Sequence, residues 1–115
     1  MAPGKRTVLF VCSANQQRSP TAEELYREDP RFKVRSAGTS KLANQTVTEP
    51  LLEWADVVVV MEDHHARTIR EQFPVASQHS RFVVLGIPDI YSYMASSLQQ
   101  EIRDRFERKI GAIIT

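Results

Sequence analysis

At 115 residues, with 42% hydrophobic and 25% charged side chains, the chain has the size and composition of one globular domain over 1–115. Such a chain buries about two-thirds of its unfolded surface. Fifteen Lys and Arg against fourteen Asp and Glu leave a net charge of +1, which argues against a nucleic-acid partner; the longest apolar stretch, VVVVM at 57–61, is far too short to span a membrane. One cysteine excludes an internal disulfide and fits a reducing, cytoplasmic setting, and MAPGKRTVLFVC reads as a strand entry rather than a leader.

Residues 6–12 (RTVLFVC) predict a strand buried on both faces, because the run is β-rich and almost continuously apolar. Residues 19–28 predict a helix, with Ser19 as N-cap, Pro20 at the first helical position and Glu23 and Glu24 in the first turn. Ala22, Leu25 and Tyr26 form its inward face, and Asp29-Pro30 ends it. Phe32 and Val34 alternate with Lys33 and Arg35 in a second strand, 32–37, closed by Gly38; 39–46 is a polar loop.

A short helix over 48–54, with Trp54 in the core, leads into a third strand at 56–61. Ala66, Ile69 and Phe73 recur at helical spacing over 63–73 before Pro74, with Asp63 as N-cap. His64 and His65 read as solvent-facing residues of that first turn, since neighbours on a helix point apart. Residues 82–87 (FVVLGI) predict a fourth strand, and 95–113 a last helix with Leu98, Ile102, Phe106, Ile110 and Ile113 along one side. Strand and helix alternate throughout, which predicts an α/β fold. The expected form is a single-domain, three-layer αβα sandwich around a four-stranded parallel sheet of the flavodoxin or Rossmann-like kind.

Ligands of such sheets bind at the carboxyl ends of the strands. The first of these ends is CSANQQRS, residues 12–19. Cysteine is a nucleophile as its thiolate, and two features here favour that anion: the helix N-terminus that follows and the fixed charge of Arg18. Five intervening residues allow the loop to curl so that the amides of 13–18 point inward as an anion nest, with Arg18 gripping a tetrahedral oxyanion bidentately and the Cys12 sulfur behind its central atom. Ser19 is placed to donate to the thiolate, and Asn15 tolerates the left-handed backbone such a turn needs. A buried cysteine beside a surface arginine is the plain alternative; the strand before and the Ser-Pro helix start after it favour the nest. Asp89, past the fourth strand, is placed to protonate a leaving group. Glu62 and Asp63 compete for that task by position, Tyr91 and Tyr93 either line the mouth or pack on the sheet, and Ser36 is within reach of the loop.

VLFVCSANQQRSPTAEEL resembles the N-terminal signature of the low-molecular-weight protein tyrosine phosphatases, and VRSAGTS, DVVVVME and IPDIY resemble, in order, their second strand, third strand and general-acid loop. The resemblance implies a phosphomonoesterase working through a cysteinyl-phosphate, with Cys12 as nucleophile, Arg18 on the phosphate and Asp89 as acid. Ser13, Ala14, Asn15, Gln16, Gln17 and Ser19 would then form and support the phosphate loop. It implies no cofactor and no metal; a phosphorylated protein or small aryl phosphate as substrate, phosphotyrosine first; inorganic phosphate as product; and a monomer or weak dimer.

The chain departs from the pattern at Ala14, where the family commonly has glycine, so backbone φ there must stay negative. Gln16 replaces an aliphatic residue and Gln17 a frequent second cysteine. Ile90 stands where short bacterial members carry a second acid, and the segment between SAGTS and the third strand is reduced to KLANQTVTEPLLEWA. Two rival functions share the loop. A phosphate- or phosphoprotein-binding module would lack turnover, and an arsenate reductase would need relay cysteines that this chain does not have.

Overall fold

Side chains alternate between the two faces of a strand, so apolar runs without polar gaps must be covered on both sides. In the computed structural model, which describes residues 5–114 (side chains through 111), β1 spans Arg6–Cys12, α1 Arg18–Tyr26, β2 Phe32–Gly38 and α2 Glu49–Trp54. β3 spans Val57–Val60, α3 Asp63–Gln72, β4 Arg81–Val84 and α4 Ser96–Ile114. The strands are parallel in the order β2-β1-β3-β4, the expected four-stranded parallel α/β arrangement. Val8, Phe10, Cys12, Val57 and Val59 face the layer made by Ala22 and Tyr26 of α1 and by Leu98, Ile102, Phe106 and Ile110 of α4. Leu9, Val11, Val58 and Val60 face Leu51 and Leu52 of α2 and Ala66 and Ile69 of α3. Ile113, expected on the α4 stripe, lies outside the described side chains.

Phe106 sets the depth of the first layer. Its ring packs edge-on against Phe10, Tyr26 and Phe32 at centroid distances of 5.3, 4.8 and 5.5 Å, a geometry that aromatic quadrupoles favour. Truncating such a ring to alanine costs about 3–5 kcal/mol. At the sheet edge, α4 lays two cations over the carbonyls that follow and end β4. Arg105 Nη1 donates to Leu85 O and Gly86 O at 3.0 and 2.8 Å, and Lys109 Nζ donates to Val84 O.

Five local expectations are corrected. Helix α1 begins at Arg18 with Gln17 as its N-cap, and Pro20 sits further in, because the Ser19 hydroxyl is committed to the loop instead of capping. Gly38 is the last residue of β2, paired with Cys12, and does not close the strand from outside. Trp54 is half-buried, its ring covered by the Arg35 guanidinium at 4.6 Å, and so lies at the rim of the core. Glu62, not Asp63, caps α3, its side chain taking the His65 N–H while the His65 ring takes the Glu62 N–H. His65 is therefore turned inward and is fully buried, whereas His64 is exposed.

Candidate active site

From β1 the chain crosses outward to β2 and then returns past β1 to β3. Loops at the carboxyl ends of β1 and β3 therefore diverge and open a crevice between them. The first loop is 13–17. Its first two carbonyls and that of the residue before it are tied down: Cys12 O by Thr39 N–H, Ser13 O by Ser40 N–H and Ala14 O by Asn44 N–H, at 3.0, 3.0 and 3.2 Å. Its own amides, residues 13–17, donate no hydrogen bond to any described residue. Five neighbouring unpaired N–H groups at a helix N-terminus form an anion-binding concavity.

Asn15 fixes the shape of this loop. Its φ is +54°, the left-handed conformation asparagine tolerates, whereas Ala14 has no positive φ and its Cβ is accommodated. Both Nδ2 hydrogens are used, toward Ser19 Oγ and Ser36 Oγ at 2.9 Å each, and Ser36 donates its own proton to Glu23 at 2.9 Å. The Asn44 amide holds the Asn15 carbonyl from the other side. Gly38 closes the fit. A Cβ there would meet Ser13 O at 2.4 Å and Asn15 N at 3.0 Å, so the loop backbone approaches β2 only because the position is glycine.

Cys12, 3% exposed, ends β1 with its sulfur 3.0 Å from Ser19 Oγ. Arg18 is 2% exposed, and both hydrogens of its Nη1 are engaged, by Glu62 Oε2 at 2.7 Å and Ile87 O at 2.8 Å. Nε–H is buried with no hydrogen-bond partner among the described residues and lies 3.7 Å from Asp89 Oδ1. An unmet buried donor is destabilising by about 1–3 kcal/mol, and an oxyanion beside it removes that penalty. Glu62 is held below the usual carboxylate range, chiefly by its hydrogen bond from Arg18, so it stays ionised and is unsuited to donate a proton. Asp63 lies in the first turn of α3.

Asp89 is carried by a loop pinned at both ends to α1. At its start Ile87 donates to Met61 O at 2.8 Å and accepts from Arg18; at its end Met94 N–H donates to Thr21 Oγ1 at 2.9 Å. Asp89 itself is 60% exposed at the mouth. Tyr91 packs against the core and Tyr93 is half-exposed. Gln16 faces solvent and Gln17 is half-buried beside it.

Sequence reasoning missed His65. Its Nε2 lies 2.9 Å from Ser13 Oγ, and burial pushes its pKa down to about 4. The spacing of Glu62 and His65, a cap residue and its third successor, is the signal that finds it. Glu62, His64 and His65 also bring ligand atoms within 4.8 Å of one another, but those atoms are already engaged by Arg18, Ser13 and one another.

Among protein classes, this geometry defines a parallel α/β sheet with a strand–loop–helix oxyanion nest, a terminal cysteine and a closing arginine. Residues 7–55, less than half of the chain, match the family described as low molecular weight phosphotyrosine protein phosphatase. The chain is 32% identical over 93 residues to a protein-arginine-phosphatase of Bacillus subtilis, an alignment covering 57% of this chain and 62% of that relative. It thus spans less than two-thirds of the curated relative's length. Its fold is shared with Wzb of Vibrio vulnificus in complex with benzylphosphonate (TM-score 0.71, 23% identity, 91% of this chain and 97% of that one). It is also shared with the tyrosine phosphatase Wzb of Escherichia coli K30 in complex with phosphate (TM-score 0.70, 23% identity, 90% and 95%).

Proposed function

We propose that the chain is a cysteine-dependent phosphatase of phosphorylated proteins, with phosphotyrosine as its first substrate. The observation that carries this reading is the buried Arg18 Nε–H, which has no hydrogen-bond partner among the described residues, beside a loop whose amides likewise donate to none of them, with the Cys12 sulfur at the loop's origin. In this reading the Cys12 thiolate attacks phosphorus, forming an S–P bond as the P–O bond to the phenol breaks, and Asp89 delivers its proton to the departing oxygen. Water then attacks phosphorus, Asp89 takes a proton from it, and the S–P bond breaks to release inorganic phosphate and the thiolate. Arg18 and the amides of 13–17 stabilise the charge on the equatorial oxygens throughout. Ser13, Ala14, Asn15, Gln16 and Gln17 supply the cradle, and Ser19 supports the sulfur.

The benzylphosphonate and phosphate held by the two Wzb proteins support the phosphate chemistry. The similarity to a protein-arginine-phosphatase makes phosphoarginine the second substrate to test, since its P–N bond presents the same phosphoryl group to the loop. We place the protein in the cytoplasm; among the described residues no helix is long and apolar enough to cross a membrane. Hydrolysis of an aryl phosphate, in chelator, by wild type and Cys12→Ser tests the proposal. Chelator-resistant turnover lost in Cys12→Ser supports it. Phosphate binding without phenol release from wild type refutes it in favour of a binding module.

A further inference from the structure

The turn from β3 into α3 touches both ends of the anion loop. Glu62 holds Arg18 at the loop's end, and His65, three residues on, holds Ser13 at its beginning. The proton on His65 follows from its partners. A backbone N–H can only donate, and Glu62 N–H reaches His65 Nδ1 at 3.0 Å, so Nδ1 is the bare nitrogen and the hydrogen is on Nε2. Nε2–H then donates to Ser13 Oγ at 2.9 Å, and Ser13 is left with its own hydroxyl proton to direct elsewhere.

We propose that His65 is a positioning residue of the active-site loop, fixing Ser13 through Nε2–H so that one helix-capping turn clamps the loop at both ends. The kinetic part of this inference rests on the phosphatase reading above; its binding part does not. The charged and titratable groups facing the ring are Glu62 and His64 on its own turn and Arg18 from α1. Protonating Nδ1 would break the Glu62 N–H contact, so the clamp requires a neutral ring, and burial and the neighbouring His64 and Arg18 keep it neutral.

Two variants separate positioning from mere helix capping. Asparagine at 65 still accepts from Glu62 N–H through Oδ1 but is too short to reach Ser13, and Ser13→Ala removes the other partner. The experiment measures inorganic phosphate affinity, kcat and KM for an aryl phosphate, and imidazole ¹⁵N shifts, in wild type, His65→Asn, Ser13→Ala and the double variant. The expected result is an Nε2–H tautomer for His65. Phosphate affinity and kcat/KM should fall about tenfold in each single variant, with little further loss in the double. Wild-type values in folded His65→Asn, fully additive losses, or an Nδ1–H tautomer each overturn the inference; if His65→Asn does not fold, the tautomer and Ser13→Ala decide it, the latter by wild-type values. Should wild type bind phosphate without turning over, the phosphatase reading fails and the phosphate affinities alone decide whether the clamp operates. A wild type that binds no phosphate overturns both.

Discussion

Ser19 Oγ lies 3.0 Å from Cys12 Sγ while accepting a hydrogen bond from Asn15 at 2.9 Å. Its single proton has two acceptors within reach, the sulfur and the Ala37 carbonyl at 3.2 Å. A thiolate is the stronger acceptor, so ionisation of Cys12 draws that proton to sulfur. Asn15, held in turn by Ser36 and Asn44, keeps the hydroxyl from turning away.

Ser19→Ala is expected to lower kcat about ten- to hundredfold with KM little changed, since a hydrogen bond to a charged partner contributes about 1.5–3 kcal/mol. Steady-state hydrolysis of an aryl phosphate measures this. A loss confined to KM would place Ser19 in substrate binding instead.

Asp89→Asn should slow hydrolysis about 10²–10⁴-fold for esters of weakly acidic alcohols and phenols, the usual contribution of a general acid. Esters of strongly acidic phenols, which leave without help, should be much less affected. Phosphate affinity should hold or rise, because the replaced carboxylate lies 3.7 Å from Arg18 Nε and competes with an anion there. A uniform rate loss across leaving groups would remove Asp89 from the acid role.

His65 makes stability fall on the acid side earlier than carboxylates alone would. Its pKa is about 4 in the folded chain against 6.5 for a free imidazole, so between those values the unfolded state binds the extra proton. Stability is therefore complete above pH 6.5 and declines as pH drops toward 4. Glu62, Asp29 and Glu107, all held below their ordinary values chiefly by arginine hydrogen bonds, add their own losses at still lower pH. Urea midpoints across pH 4–8 should slope downward below 6.5 in wild type, and His65→Asn should flatten the upper part of that slope.

Gly38→Ala places a methyl against backbone at Ser13 and Asn15, neither of which can yield as a flexible side chain would. Overpacking of this kind costs about 1–3 kcal/mol. Beyond the stability loss, the displaced loop should bind phosphate more weakly, which a phosphate titration of the folded variant reads directly.

The strands were legible because β1 and β3 are buried on both faces and so read as apolar runs. The α4 stripe of Leu98, Ile102, Phe106 and Ile110 was legible for the corresponding reason, one buried face at helical period. The loop could be read from Cys12 to Arg18 because its chemistry is local in sequence. What stayed hidden is what depends on contacts between distant segments. His65 looks like any surface histidine until α3 is laid against the loop, 52 residues from Ser13. Gly38 reads as a strand end, and only the folded approach of Ser13 shows why no side chain fits there. Ser19 resembles a cap because Ser-Pro starts many helices; its hydroxyl faces the sulfur because β1 brings Cys12 beneath it.

The cations of α4 have a consequence for how the chain behaves in company. An unpaired strand edge offers its backbone as a template to any extended segment that drifts past, and in crowded solution this is a route into fibres. Arg105 and Lys109, four residues apart and therefore on one side of the helix, occupy the acceptors at 84–86 along that edge. A chain cut short within α4 would lose its guard together with its core, and its failure would show as aggregation before it showed as lost chemistry.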